Sequence, residues 1–494
     1  MVGLEKLLIP LKENELSIEN IKEYLPSIMQ VFDENKRKIR EDYETYKGAH
    51  DIFNKQRPFE DCSDINNQIV NQHLWAMVNF KCGYGYGNPL EFAKKDASDS
   101  TEMNYFNKYV SSVDFRGIVD NLAEWVYAVG VAFSFTQPKK SENLEYDAPF
   151  ECFHLESDTC AKVYSSYLGQ KPLFDLIMTP ISKKADKNIT DYHILSIYTP
   201  NKYYEFKYMG AYGNFQTELI KAEDRYGYNL LPLTEFYAYH DRVGIVESCK
   251  TAQNALDMID SNGLDNIQEV VNQMLVIKNA LLGTTPEEKR ETLTNARKNG
   301  VLEIMDNSKE LPADVKTLTT QLSHSDVNTI KNQIKADMFG NWGVPLASSN
   351  ISSGNVTQGG GEISNGWENA YSVILKENNN MLTGFRNLLK QFLWICTNMP
   401  NSKVITLNAG DIEIKYNIAR SNNLLTKTQS YGNLVDRDVP PDIALELCEL
   451  TGDPSSIGKM IEEYKAKKEA QAQAEAERVA KLQNQNGINS DNAE

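Results

Sequence analysis

The chain has 494 residues, 41% hydrophobic and 24% charged, a composition that excludes a disordered or fibrous protein. Its length exceeds what one hydrophobic core usually supports, so several sub-domains are expected. Lys and Arg number 51 against 68 Asp and Glu, a net charge of −17, which argues against tight static binding of a polyanion but leaves weak contact open.

Seven cysteines (Cys62, Cys82, Cys152, Cys160, Cys249, Cys396 and Cys448) form no Cys-x-x-Cys pair, the usage of reduced cytoplasmic thiols. Met1–Pro10 is too short and charged for a secretion signal. The longest apolar run, Trp125–Phe135, cannot span a bilayer, so no membrane partner is expected.

Residues 17–47 read as a helix with Ile18, Ile21, Tyr24 and Leu25 on one face. A second helix, Ile69–Phe80, is expected to close at Gly83, Gly85 and Gly87, and a third to cover Phe115–Phe135. From Pro149 to about Glu235 the period becomes two, as in Tyr204, Phe206 and Tyr208, which predicts an antiparallel sheet with one wet face. Most tyrosines and phenylalanines lie in the first half, so the β-structure should lie there too.

At Val243 the helical period returns. Ile245, Cys249, Ala252, Leu256 and Ile259 make a narrow seam, with Glu247, Lys250, Asn254 and Asp257 off it, and Gly263 is expected to end the helix. A thin stalk cannot bury such a seam alone, so the seam predicts packing between subunits. A small α/β insert follows, with strands at Met274–Ile277, Val301–Met305 and Val315–Leu318 and a charged helix opened by Pro286. A second stalk helix starts at Ser325, with Asp326 at its positive end.

Gly343–Gly366 is rich in Gly, Ser, Asn and Thr, and Glu362 is its single charge. A long helix then runs from Trp367 to about Thr397, followed by a strand at Ile412–Ile418 that must pair with an earlier sheet. Short helices are expected around Thr428–Val435, Asp442–Leu450 and Ser455–Lys468, and Glu469–Glu494 reads as a solvated tail.

No catalytic constellation is visible. Gly458-Lys459 lacks the first glycine and the Ser/Thr of a phosphate-binding loop. Gly83, Gly85 and Gly87 end a helix, where a dinucleotide loop would follow a strand. Cys152, His154, Asp158 and Cys160 come closest to metal-ligand spacing, and neither a metal nor another cofactor is expected. The chain therefore reads as non-enzymatic.

Several stretches in shared order carry a family resemblance: Asn67–Phe92 (NQIVNQHLWAMVNFKCGYGYGNPLEF), Asn121–Phe135 (NLAEWVYAVGVAFSF), Pro232–Asn254 (PLTEFYAYHDRVGIVESCKTAQN), Asp265–Ile277, Thr428–Val435 and Pro440–Leu450. In these the chain resembles the portal proteins of tailed double-stranded DNA bacteriophages, in the siphophage family related to the portal of phage SPP1. The resemblance implies an α+β portal fold, with an antiparallel sheet and helices in a wing, a helical stem, a small α/β clip and a helical crown. It implies a homo-oligomeric ring, usually of twelve, assembled in the host cytoplasm and resident in the virion, through which double-stranded DNA is packaged and ejected. Implied partners are the terminase large subunit, the major capsid and scaffolding proteins, and the head–tail connector or adaptor protein.

Carried onto this numbering, 1–242 and 367–420 would be wing, 243–262 and 325–342 the two stem helices, and 263–324 the clip. Residues 343–366 would be the tunnel loop, 421–468 the crown and 469–494 a flexible tail. The expected DNA-touching side chains are Ser348, Ser349, Asn350, Ser352, Ser353, Asn355, Thr357 and Gln358. Glu287, Glu288, Lys289, Arg290 and Glu291 would form the clip's partner surface, and the Ile245–Ile259 seam would pack the stem. A capsid or baseplate ring subunit that never meets DNA is the alternative.

Overall fold

The computed structural model describes residues 3–55, 65–95, 101–139, 147–181, 192–211, 214–225, 228–271, 274–278, 314–318, 324–346, 366–400, 402–416, 424–437 and 439–448, with shorter pieces within 285–294 and 457–468 and single residues 418 and 450.

In chain order these residues form strand β1 (Leu7–Ile9), helix α1 (Ile18–Tyr46), helix α2 (His73–Tyr86), strand β2 (Glu91–Lys94), and helices α3 (Thr101–Ser112) and α4 (Phe115–Val129). A run of strands follows: β3 (Ala132–Pro138), β4 (Phe150–Leu155), β5 (Cys160–Ser165), β6 (Pro172–Ile181), β7 (Tyr192–Tyr198), β8 (Lys202–Ala211), β9 (Asn214–Asp224) and β10 (Leu233–Phe236). Then come α5 (Ile245–Val271), β11 (Met274–Lys278), β12 (Asp314–Leu318), α6 (His324–Asn341) and α7 (Trp367–Asn398). Strand β13 (Ile412–Lys415) and helices α8 (Leu424–Val435) and α9 (Pro441–Leu447) complete the series.

Helix α1 starts where the Ser17 hydroxyl accepts the Asn20 N–H at 3.2 Å, closing one of the orphan donors of the first turn. Its apolar positions Ile21, Leu25, Ile28, Met29 and Phe32 recur every three or four residues and face a six-stranded sheet of order β1-β5-β6-β7-β8-β9. Val163, Leu176, Leu195, Ile197 and Phe206 answer from the sheet. Each such side chain, fully withdrawn from water, contributes about 1.5–3 kcal/mol.

A second and larger core is built by α2, α3, α4, α7 and the three-stranded sheet β10-β3-β4. Phe150 stacks on Phe392 with ring centres 4.1 Å apart, and Phe236 meets Phe385 edge-on at 5.0 Å. Gly384 makes the second contact possible, because a Cβ there would lie 2.5 Å from the Phe236 ring.

The expected single antiparallel sheet is thus two sheets over two cores, and β1 joins its sheet parallel to β5. The apolar run 115–135 is not one helix. It breaks at Gly130, whose φ of +96° turns the chain, and Ala132 onward is strand β3. Ala132, Phe133 and Phe135 are apolar as strand residues of a buried sheet, so composition did not separate the two states. Helix α2 starts at His73 rather than Ile69 and runs through Gly83 and Gly85. A Cβ at Gly85 would sit 3.4 Å from Ile374, so helix packing accounts for that glycine where a helix stop was expected. The late strand β13 finds its partner in β2, with Ile412 opposite Lys94.

Candidate functional site

Helices α5 and α6 lie antiparallel as a pair. The Trp342 indole N–H donates to Ser248 Oγ at 2.7 Å, and Cys249 Sγ is 4.0 Å from the Met338 carbonyl oxygen. One further along, Lys331 Nζ lies 2.5 Å from Asp260. Beyond this pair, β11 and β12 run antiparallel with Met274 opposite Leu318, so the insert begins and ends at one place.

The seam behaves differently from its expectation. Ile245, Cys249 and Leu256 are already buried inside the subunit, and of the half-buried pair Ala252 and Ile259 the first packs on the same core. The reason is that α5 is not a free stalk in its first half, since α1, α2 and α4 all pack against it. The seam therefore gives no support to packing between subunits. The helix also passes through Gly263 and continues to Val271, so the boundary expected at 262 is too early.

The face of α5 opposite the seam, where Asp257 lies off it, is engaged. Asp257 Oδ1 accepts the Asn71 N–H at 2.8 Å, Ser261 Oγ the Ile69 N–H at 2.9 Å, and Asp265 Oδ1 the Asn67 N–H at 2.7 Å. Four helical residues rise about 6.0 Å and two extended residues about 6.6 Å, so a helix period of four matches a chain period of two. The segment 67–71 is thereby hydrogen-bonded to a helix side as if to a neighbouring strand. His50 Nδ1 lies 2.5 Å from Asp257 Oδ2, and Lys55 Nζ donates to Asp265 Oδ2 at 2.7 Å. Against its partial burial, the hydrogen bonds from Lys55 and Asn67 hold the Asp265 carboxyl below the usual carboxylate range.

A second polar node sits under the start of α7. Lys81 Nζ pairs with Glu377 at 2.9 Å, and the same carboxylate accepts the Tyr127 hydroxyl at 3.1 Å and the Tyr239 hydroxyl at 2.7 Å. Burial lowers the Lys81 ammonium's pKa, opposed by the carboxylate beside it. Burial and that same carboxylate raise the Tyr127 hydroxyl's well above the usual range. No sequence spacing pointed to this group, because its members come from α2, α4, α7 and the turn before α5.

Phe339, Trp342 and Val344 are buried at the end of α6. Gly343, at φ +62°, lies so near α7 that a Cβ there would be 2.9 Å from Val373. The expected DNA-touching residues Ser348 to Gln358 lie outside the described residues. Of the residues expected to form the clip's partner surface, Glu287, Glu288, Arg290 and Glu291 are exposed, while Lys289 lies outside the described residues. Thr285 and Glu288 exchange hydrogen bonds with each other's backbone N–H at 3.2 Å, a capping box around Pro286. Glu288 is therefore in use as a cap.

Cys152 is buried against the Thr136 hydroxyl, and His154 is tilted against the Trp125 ring with its pKa pushed down to about 4 by burial. Among the described residues no three His, Cys, Asp or Glu side chains are placed to hold a metal ion, and no helix is long and apolar enough to cross a membrane.

The described residues thus give an antiparallel helix pair, α5 and α6, with the two-stranded sheet β11-β12 between them in sequence. Residues 27–474 match the family described as phage portal protein, SPP1 Gp6-like, and the chain belongs to that family. It is a structural subunit of the oligomeric portal ring at the portal vertex of a virion, and DNA packaging is the role general to portals. No curated protein matches the chain. Among solved structures it is similar to a chain in the neck of an empty gene transfer agent particle computed with C6 symmetry, at 12% identity and a TM-score of 0.43, covering 76% of this chain and 89% of that one. It is also similar to an HK97 family phage portal protein from Corynebacterium diphtheriae, at 10% identity and a TM-score of 0.35, covering 72% and 93%.

Proposed function

We propose that this subunit closes with its neighbours into a ring of twelve whose channel carries double-stranded DNA during packaging and ejection. In this reading α5 and α6 form the stem, and the insert between them is the clip. The terminase large subunit docks on the clip first and the head–tail connector later, and the capsid and scaffolding proteins hold the ring in the shell. Residues 1–242 and 367–420 are the wing, 343–366 the tunnel loop and 421–468 the crown. The ring does no chemistry of its own.

The antiparallel pairing of α5 with α6 supports this reading best, because it returns the chain from the insert to the body beside its point of departure. Mass photometry tests it. Twelve copies of the 55.9 kDa chain amount to about 671 kDa. Rings of that mass, with a central channel in electron micrographs, are expected. A 55.9 kDa species alone at micromolar concentration and at every salt would overturn it.

A further inference from the structure

Helix α7 carries a charge pattern that stands apart from the rest of this acidic chain. Its acidic residues are Glu368, exposed in the first turn, and Glu377, which is buried against Lys81, so beyond the first turn no exposed carboxylate lies on the helix. Its cations are Lys376, Arg386 and Lys390, and all three are exposed. At 3.6 residues per turn they fall in one sector of the helix, interleaved with the exposed Asn379, Thr383 and Asn387. Among the described residues none of the three cations forms an ion pair, and Lys376 rests 6.0 Å over the Tyr239 ring. The stripe from Lys376 to Lys390 is about 21 Å long at ~1.5 Å per residue.

We infer that this exposed face of α7 is a contact surface for the phosphate backbone of duplex DNA. The inference rests on the portal reading and names where the passing duplex is touched. Phosphate contacts in protein–DNA complexes come from Arg and Lys together with Ser, Thr and Asn, which is the composition of this stripe. An interface with a neighbouring subunit would instead centre on aromatic and apolar side chains. The exposed sector offers only Leu375 of that kind. The physical scale also fits passage. A duplex carries one charge per ~1.7 Å, so about a dozen phosphates lie along 21 Å, and three cations neutralise few of them. With a net charge of −17 over the whole chain, these three cations included, the subunit attracts DNA along one line and repels it over most of its surface.

The test uses the full chain, a fluorescent duplex of about 30 base pairs and salt from about 25 to about 150 mM. Wild type should bind weakly, with affinity falling as salt rises. The variant Lys376→Gln/Arg386→Gln/Lys390→Gln should bind at least about tenfold more weakly at the lowest salt. Its log–log salt slope should be flatter by up to about 3, at ~0.9 per phosphate lost. A control of equal charge change at exposed sites away from α7, Lys139→Gln/Lys171→Gln/Lys202→Gln, should bind as wild type does. Equal loss in the control, no loss in the α7 variant, or no binding by wild type at the lowest salt would each overturn the inference. So would an α7 variant that loses ring assembly yet binds DNA normally, which would make the stripe a subunit contact. Mass photometry on the same samples reads ring formation separately, so a wild type without rings counts against the ring while the binding comparison still decides the stripe.

Discussion

Lys81 and Glu377 are joined at 2.9 Å with neither side chain reaching solvent, and they tie α2 to the first half of α7. Removing one charge strands the other in a low-dielectric site, at a cost of about 3–5 kcal/mol. Lys81→Met and Glu377→Gln should each lower the unfolding free energy by that amount, read from the shift of the denaturant midpoint. The double variant should be closer to wild type than either, since Gln still accepts from Tyr127 or Tyr239. Additive losses in the double-variant cycle would show that the two side chains act independently.

The ladder between α5 and residues 67–71 should be visible in hydrogen exchange. Ser261→Ala leaves the Ile69 N–H without its acceptor, and Asp257→Ala does the same for Asn71 while freeing His50. An unsatisfied buried donor costs about 1–3 kcal/mol. Exchange at Ile69 and Asn71 should accelerate by about tenfold or more, with the six-stranded sheet unaffected. Unchanged protection would mean that those amides are held by something else.

Asp42 sets a pH dependence. Burial, with Glu247 nearby, pushes its carboxyl up to about 7. Between the unfolded value near 3.8 and about 7, the folded state keeps a proton that the unfolded state releases. This group therefore makes stability fall as pH rises through that window. Asp42→Asn should gain on the order of 1–3 kcal/mol relative to wild type at pH ~8 and almost nothing at pH ~4. Urea midpoints at the two pH values decide it, and a gain of equal size at both would remove ionisation as the cause.

For the proposed clip, Glu287→Lys with Glu291→Lys should block DNA packaging while leaving ring mass unchanged. Glu288→Lys is a poorer probe, because its carboxylate belongs to the capping box with Thr285 and its loss costs about 1 kcal/mol of helix stability. Normal packaging by the first variant would remove the assignment of this helix as the motor-docking surface.

For the proposed tunnel loop, replacing Gly359, Gly360 and Gly361 by alanine should restrict the backbone and impair DNA retention or translocation in rings of normal size. Ser352→Lys with Asn355→Lys should slow DNA passage by adding phosphate attraction. If both variants package and eject at the wild-type rate, the segment is only a connection.

Much of the architecture was legible in the chain itself. Alternation in Tyr204, Phe206 and Tyr208 marked a strand, the spacing Ile18, Ile21, Tyr24 and Leu25 marked a helix face, and the long amphipathic α7 came within a residue of its ends. These features depend on a residue and its near neighbours, so periodicity reports them directly. The order of elements also carried the portal resemblance, which the family match bears out over residues 27–474.

What only the tertiary structure decided is which faces meet. The seam of α5 reads the same whether it packs on a neighbouring subunit or on α1, α2 and α4, because hydrophobic burial has no direction in sequence. Asp257 was legible only as lying off the seam, and Ser261 and Asp265 carried no signal, because the N–H groups that all three accept come from residues 67–71, nearly two hundred residues away. Lys81 and Glu377 are separated by 296 residues, and a charge is inexpensive to bury only where its partner arrives with it. Local pattern determined the elements, and long-range pairing decided which polar groups leave water.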